Sequence, residues 1–139
     1  MNDSFWRTWL YDRLRLTSPV VALVPEASIY GAGSLTAPPA KKPFIVITMG
    51  QDVPEFPGVS RQDATLWFHD KPGTYNRIDQ IRQAVRQALC GPDGNTGPVA
   101  EAGAIACRWM ADSGDQADEG YGTIVKTTDF QLVGRKGNG

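Results

Sequence analysis

The stretch Ala64–Leu89, ATLWFHDKPGTYNRIDQIRQAVRQAL, decides the fold of this chain. Around Leu66-Trp67-Phe68 apolar and polar positions share a period close to two, the pattern of a half-buried strand. After Pro72-Gly73 the period lengthens, and Tyr75, Ile78, Ile81, Val85 and Leu89 recur at helical spacing. The pattern predicts a strand over about Ser60–His69 and a helix over about Thr74–Leu89. Cys90-Gly91-Pro92 ends the helix, with glycine near the C′ position and proline beyond it. A helix that follows a strand after so short a turn folds back onto the sheet that holds the strand.

On the N-terminal side, Phe44-Ile45-Val46-Ile47-Thr48-Met49 is a dense β-branched run bounded by Pro43 and Gly50. It is apolar on both faces, so it reads as a central strand covered by helices on one side and by a loop or another subunit on the other. Ser28-Ile29-Tyr30 reads as a short edge strand. Further upstream, Trp6, Trp9, Leu10 and Leu14 form one face of a first helix, capped by Asp3 or Ser4, with Arg7, Asp12, Arg13 and Arg15 opposite. Ser18 caps a second, one-turn helix with Pro19 at its first position, and Pro25 stops it.

On the C-terminal side, Ile105, Cys107, Trp109 and Ala111 alternate with Ala106, Arg108 and Met110, a strand with one packed face. A last strand covers about Tyr121–Val133, with Ile124, Thr128, Phe130 and Leu132 as its apolar positions. Lys126 and Asp129 interrupt it and leave room for a register shift. The element order predicts an α+β fold: a mostly antiparallel sheet of four to five strands, two main helices packed on one face, and long loops. A single domain over residues 1–133 and a polar tail over 134–139 are expected. No internal repeat is visible.

Four segments read as loops: Gly31–Lys42, Gly50–Val59, Gly91–Gly103 and Asp112–Gly120. They are long against the usual median of about 4–6 residues. Leu35, Val53 and Phe56 lie in them, apolar side chains that a lone subunit would leave partly wet, which points to partner surfaces.

The sequence has 139 residues, a net charge of −1, two cysteines and one histidine. The near-neutral balance argues against a general nucleic-acid binder. Cys90 and Cys107 lack metal-ligand spacing and read as reduced thiols. The N-terminus has no signal-peptide pattern, and no stretch approaches the roughly 20 apolar residues of a membrane span. A soluble, non-exported protein without a membrane partner is expected.

The candidate chemistry is thin. His69-Asp70 joins the one histidine to a carboxylate, yet neighbours on a strand point to opposite faces, and Asp70 opens the turn Asp70–Gly73. None of the serines sits in a nucleophile elbow. Asp112, Asp115, Asp118 and Glu119 are the residue types of a Ca²⁺ site without the spacing of an EF-hand, so a solvated acidic loop is the better reading. Gly31-Ala32-Gly33 and Gly91–Gly94 lack the context of a phosphate cradle. Arg77, Arg82 and Arg86 on the main helix, with Arg13 and Arg15 on the first, read as helix-surface charge, with a DNA-facing surface as the rival. No catalytic set, cofactor or metal site emerges.

Several pieces together resemble a known family. They are TSPVVALVPEASIYGAG (Thr17–Gly33), PFIVITM (Pro43–Met49), WFHDKPGTYNRID (Trp67–Asp79) and FQLVGR (Phe130–Arg135). In this order they resemble the tail terminator, or tail completion, proteins of long-tailed bacteriophages, particularly those infecting actinobacteria. The resemblance implies a structural virion protein with no enzymatic activity, whose α+β subunits form a ring, commonly a hexamer. Such a ring caps the tail tube, ends its growth and carries the surface that joins the head connector. The implied partners are further copies of the chain, the tail tube protein and the head or neck connector, with no sequence-specific nucleic acid. The implied location is the tail–neck junction of the virion, after assembly in the host cytoplasm. On this analogy Leu35, Val53 and Phe56 mark ring and tube contacts, and Asp112, Asp115, Asp118 and Glu119 a docking element. Two rival readings stand beside it: a neck or head-completion connector protein, and a small enzyme or ligand-binding domain using His69 and Asp70.

Overall fold

The computed structural model of the chain describes residues 3–92, 96–98 and 103–135, with side chains for 5–92 and 103–135. The elements are α1 (Asp3–Arg15), α2 (Ser18–Val21), β1 (Ile29–Gly31), β2 (Phe44–Phe56), β3 (Val59–Asp70), α3 (Asn76–Cys90), β4 (Thr96–Pro98), β5 (Ala104–Asp112), β6 (Gln116–Asp118) and β7 (Thr123–Arg135). The sheet runs β1-β2-β3-β7-β5-β4, and β6 pairs with β7. Among the described strands β1–β2 is the one parallel pair; the others are antiparallel. The fold is α+β, with more strands than the four to five expected.

The opening stretch folds as its periodicities dictate. Ala64, Leu66 and Phe68 on β3 share a buried face with Ile45 and Ile47 on β2 and Phe130 and Leu132 on β7. Ile78, Ile81, Val85 and Leu89 of α3 pack into the same core, as do Trp6, Trp9, Leu10 and Leu14 of α1. Full burial of such side chains contributes about 1.5–3 kcal/mol each. Gly91 ends α3 with φ 80° and ψ −175°, a region open essentially to glycine, and its N–H donates to the Gln87 carbonyl at 3.1 Å.

The second face of β2 is covered as well, by a cluster within the chain. Phe44 stacks on His69 with centroids 4.6 Å apart, and Tyr30 and Tyr121 meet Phe44 edge-on.

Several expectations need correction. Gly50–Val59 is not a loop, because β2 and β3 continue to Phe56 and Val59 as a hairpin arm at the edge of the sheet, with β3 still paired to β7 on its inner side. The two prolines and a glycine of this segment suggested irregular backbone, but β1 pairs only with Ile45–Ile47, which leaves Pro54 on an open edge where no ladder bond is lost. Gly50 sits at a bulge between Met49 and Asp52, where an added Cβ would lie 3.1 Å from Asp63 Cβ. The acidic segment contains β6, and Gly91–Gly103 contains β4; residues 93–95 and 99–102 of the latter lie outside the described residues.

β7 pairs with β3 without a slip, from Val59↔Arg135 to Asp70↔Ile124. The shifts lie in β5 instead, beside Ile105 and Met110. They break its packed face, so Cys107 is buried while Ile105 and Ala111 are exposed. β7 also runs two residues past the expected boundary at Val133, and 136–139 of the expected tail lie outside the described residues. Thr17, not Ser18, holds the cap position of α2, and its hydroxyl donates to the Arg13 carbonyl at 2.6 Å. The expected cap of α1 by Asp3 or Ser4 falls on side chains outside those described.

Candidate assembly surfaces

His69 and Asp70 point to opposite faces of β3, as strand geometry requires. His69 is buried in the aromatic cluster, its Nδ1 2.7 Å from Thr123 Oγ1, and burial lowers its pKa to about 4, against a weak opposing pull from Asp118. Asp70 instead accepts from the Lys71 N–H at 2.8 Å and from Arg77 Nε at 2.8 Å, with Arg77 Nη2 closing a bidentate pair. That pair raises the Arg77 pKa. Asp70 therefore holds the turn to the start of α3, and it cannot orient the imidazole.

The acidic residues disperse. Asp112 turns inward, its Oδ1 accepting from Thr128 Oγ1 at 2.8 Å and Trp109 Nε1 at 3.0 Å, its Oδ2 3.5 Å from Arg82 Nε and 3.6 Å from Arg86 Nη1. Asp115 pairs with Lys126 Nζ at 2.9 Å, and Asp79 holds the same ammonium at 2.7 Å. These bonds, that to Asp79 foremost, raise the Lys126 pKa and let a lysine occupy the helix-side face of β7. Asp118 accepts from the Tyr121 N–H at 3.0 Å, and Glu119 is exposed. Among the described residues no three His, Cys, Asp or Glu side chains converge as a metal site would need.

The arginines of α3 are likewise engaged: Arg77 by Asp70, Arg82 by Asp79 and Asp112, and Arg86 by Asp112 and the Trp109 ring, 4.0 Å from its centroid. Each of these guanidiniums is held by a carboxylate of its own subunit, Arg77 while remaining 40% exposed. The Cys90 and Cys107 thiols lie 3.8 Å apart and buried, and their contact and burial raise the Cys107 pKa. Among the described residues no helix is long and apolar enough to cross a membrane.

The remaining candidates fall into two sets. Leu35 and Asp118 line one groove of about 300 Å³ together with Pro38 and Tyr121. A second groove beside it, about 240 Å³, reaches Val46, Trp67 and His69. Val53 and Phe56 belong to the β2–β3 arm, Val53 half-buried and Phe56 59% exposed. Val59 at the arm and His69 at the grooves are ten strand positions apart, roughly 30 Å along β3.

Sequence reasoning missed three exposed apolar residues: Leu16, Ile105 and Met110. Leu16 carried a signal, since it falls two residues after Leu14, off the stripe of α1. Met110 carried one as well, since alternation puts it opposite the packed face of β5, whereas Ile105 carried none, because a non-local bulge sets its exposure. A groove of about 290 Å³ runs along α1 past Phe5, Trp9, Arg13 and Leu16.

No protein-family model matches the sequence, and no curated protein matches it. Among solved structures, the chain is similar to a chain from the virion of a native gene transfer agent particle. The TM-score is 0.71 at 17% identity, over 91% of this chain and 92% of that one. The likeness establishes a shared fold across nearly the whole of both chains.

Proposed function

We propose that this chain is a structural virion protein, a tail terminator without enzymatic activity. Copies of it form a ring, a hexamer on the family analogy, that caps the tail tube and ends its growth. The ring offers its outer surface to the head or neck connector, at the tail–neck junction of the particle. The observation that carries the proposal is the near full-length likeness to a virion chain of a gene transfer agent particle, joined to the sequence resemblance described above. The geometry agrees with it: the polar side chains of β3 and α3 that suggested chemistry are engaged in internal bonds, and the remaining candidate contact residues, half-buried apart from Phe56, lie toward two ends of β3. A subunit set between a tube and a connector needs two such ends.

Electron microscopy of particles lacking this protein tests the proposal. Tails of uncontrolled length are expected. Full heads beside unjoined tails of normal length would assign the chain to the neck instead, and particles of normal form would remove both readings.

A further inference from the structure

We infer that Cys90 and Cys107 are a disulfide site: in an oxidising medium the two thiols join into one bond within the chain, which fastens the end of α3 to β5. Both side chains are buried, and Cys90 Sγ donates to Cys107 Sγ at 3.8 Å. A disulfide holds its sulfurs about 2.0 Å apart, so closure needs a shift of under roughly 2 Å. The pair is the last rung of a seam between helix and strand. Arg82 reaches Asp112, Arg86 one turn on reaches Asp112 and the Trp109 ring, and Cys90 a further turn on reaches Cys107. Steps of four along one face of α3 thus follow β5 in order, and the seam keeps the sulfurs opposed. Among the described residues no third His, Cys, Asp or Glu side chain joins the pair, which sets it apart from a metal site.

The oxidant is a low-molecular-weight disulfide such as oxidised glutathione. The Cys90 thiolate attacks one of its sulfurs, the S–S bond of the reagent breaks, and one glutathione leaves as a thiolate that takes up a proton. The Cys107 thiolate then attacks the Cys90 sulfur, displaces the second glutathione and closes the bond. Two protein thiols are oxidised, and one reagent disulfide is reduced to two thiols. Cys90 acts first because it is the last residue of α3, and helix ends open locally at low free-energy cost, whereas Cys107 lies within β5, paired to Leu132. The Cys90 contact and burial hold the Cys107 thiol up, against a pull from the Arg13 guanidinium, so the exchange is slow at neutral pH and quickens as pH rises. The timing rests on the virion reading above: a chain assembling in reducing cytoplasm keeps its thiols, and one carried out in a released particle loses them. The bond itself does not depend on that reading.

The test equilibrates the natural chain in glutathione buffers from reducing to oxidising, quenches it with acid, and alkylates it after unfolding. In oxidising buffer neither thiol is expected to alkylate, the intact chain is lighter by two hydrogens, and a digest yields one peptide cross-linked through Cys90 and Cys107. The bond joins residues 17 positions apart, so the thermal midpoint is expected to rise by about 10 °C over the reduced chain. The same change of buffer is expected to leave the midpoint of Cys90→Ala where it was. Thiols that stay free in the folded natural chain, or glutathione adducts without the internal bond, would overturn the pairing. The same alkylation is applied to subunits taken from host cytoplasm and to released particles, with free thiols expected in the first and the bond in the second. Free thiols in released particles that contain the chain would overturn the timing. A bond that forms in buffer, together with particles that lack the chain, would overturn the virion reading and leave the disulfide site standing.

Discussion

Helix α3 and the β2–β3 arm both carry apolar residues at regular spacing, and they meet opposite fates. Ile78, Ile81, Val85 and Leu89 are at most 2% exposed, whereas Phe56 is 59% exposed. The difference lies in what stands above each element. α3 covers β3 and is itself flanked by α1, so its apolar stripe closes a core. The arm extends past β1, and its outer edge has no strand beside it among the described residues. Apolar content therefore marks core in one place and exposed surface in the other.

The largest expected effect falls on α3. Ile81→Asp places a carboxylate in the core and is expected to abolish folding at neutral pH, while Ile81→Ala costs about 2–5 kcal/mol. Circular dichroism through a thermal ramp checks both, and a soluble, cooperatively melting Ile81→Asp protein would break the contrast at its stronger end. Next comes Asp112, which ties β5 and β7 to the arginines of α3. Asp112→Ala leaves those donors without their acceptor and is expected to lower stability by about 2 kcal/mol in urea denaturation.

A third prediction concerns pH. His69 has its pKa lowered from 6.5 to about 4 in the folded chain, so below pH 6.5 the unfolded chain binds the extra proton. The contribution of neutral His69 is whole above pH 6.5, falls away as pH drops toward 4, and declines no further below that. The loss is on the order of 3 kcal/mol. Denaturant midpoints of the natural chain and of His69→Gln should converge across this interval, and parallel curves would contradict it. The smallest stability effect belongs to the arm, where Phe56→Ala is expected to change subunit stability by under about 0.5 kcal/mol. A loss of several kcal/mol in the same denaturation assay would show that the tip packs on its own subunit and erase the contrast.

Legibility in the sequence followed the range of the interactions involved. The α3 stripe, the strand before it and the opposed directions of His69 and Asp70 could be read because each depends on residues a few positions apart. The arm was misread as a loop because Pro54 and Gly50 speak against a strand unless one knows that the strand lies at an edge. Asp112 and Asp115 looked like a solvated cluster because their partners, Arg82, Arg86 and Lys126, come from elements brought alongside by the fold. Of the candidate contact residues, Phe56 and Leu35 were visible as apolar side chains in unexplained segments, whereas the groove on α1 was not, since it exists only between packed turns.

The sequence by itself determined the helices α1 and α3, the strand cores at Phe44–Met49 and Ser60–His69, and which side of α3 is buried, because backbone sterics and the periods of 3.6 and 2 are local properties. Only the tertiary structure decided that the arm is the open edge of the sheet and that Asp112 and Asp115 meet Arg82, Arg86 and Lys126 within the subunit. It also decided that Cys90 and Cys107 lie side by side. Those outcomes depend on which distant element stands next to which, and neighbours of that kind are chosen by the burial of the whole core.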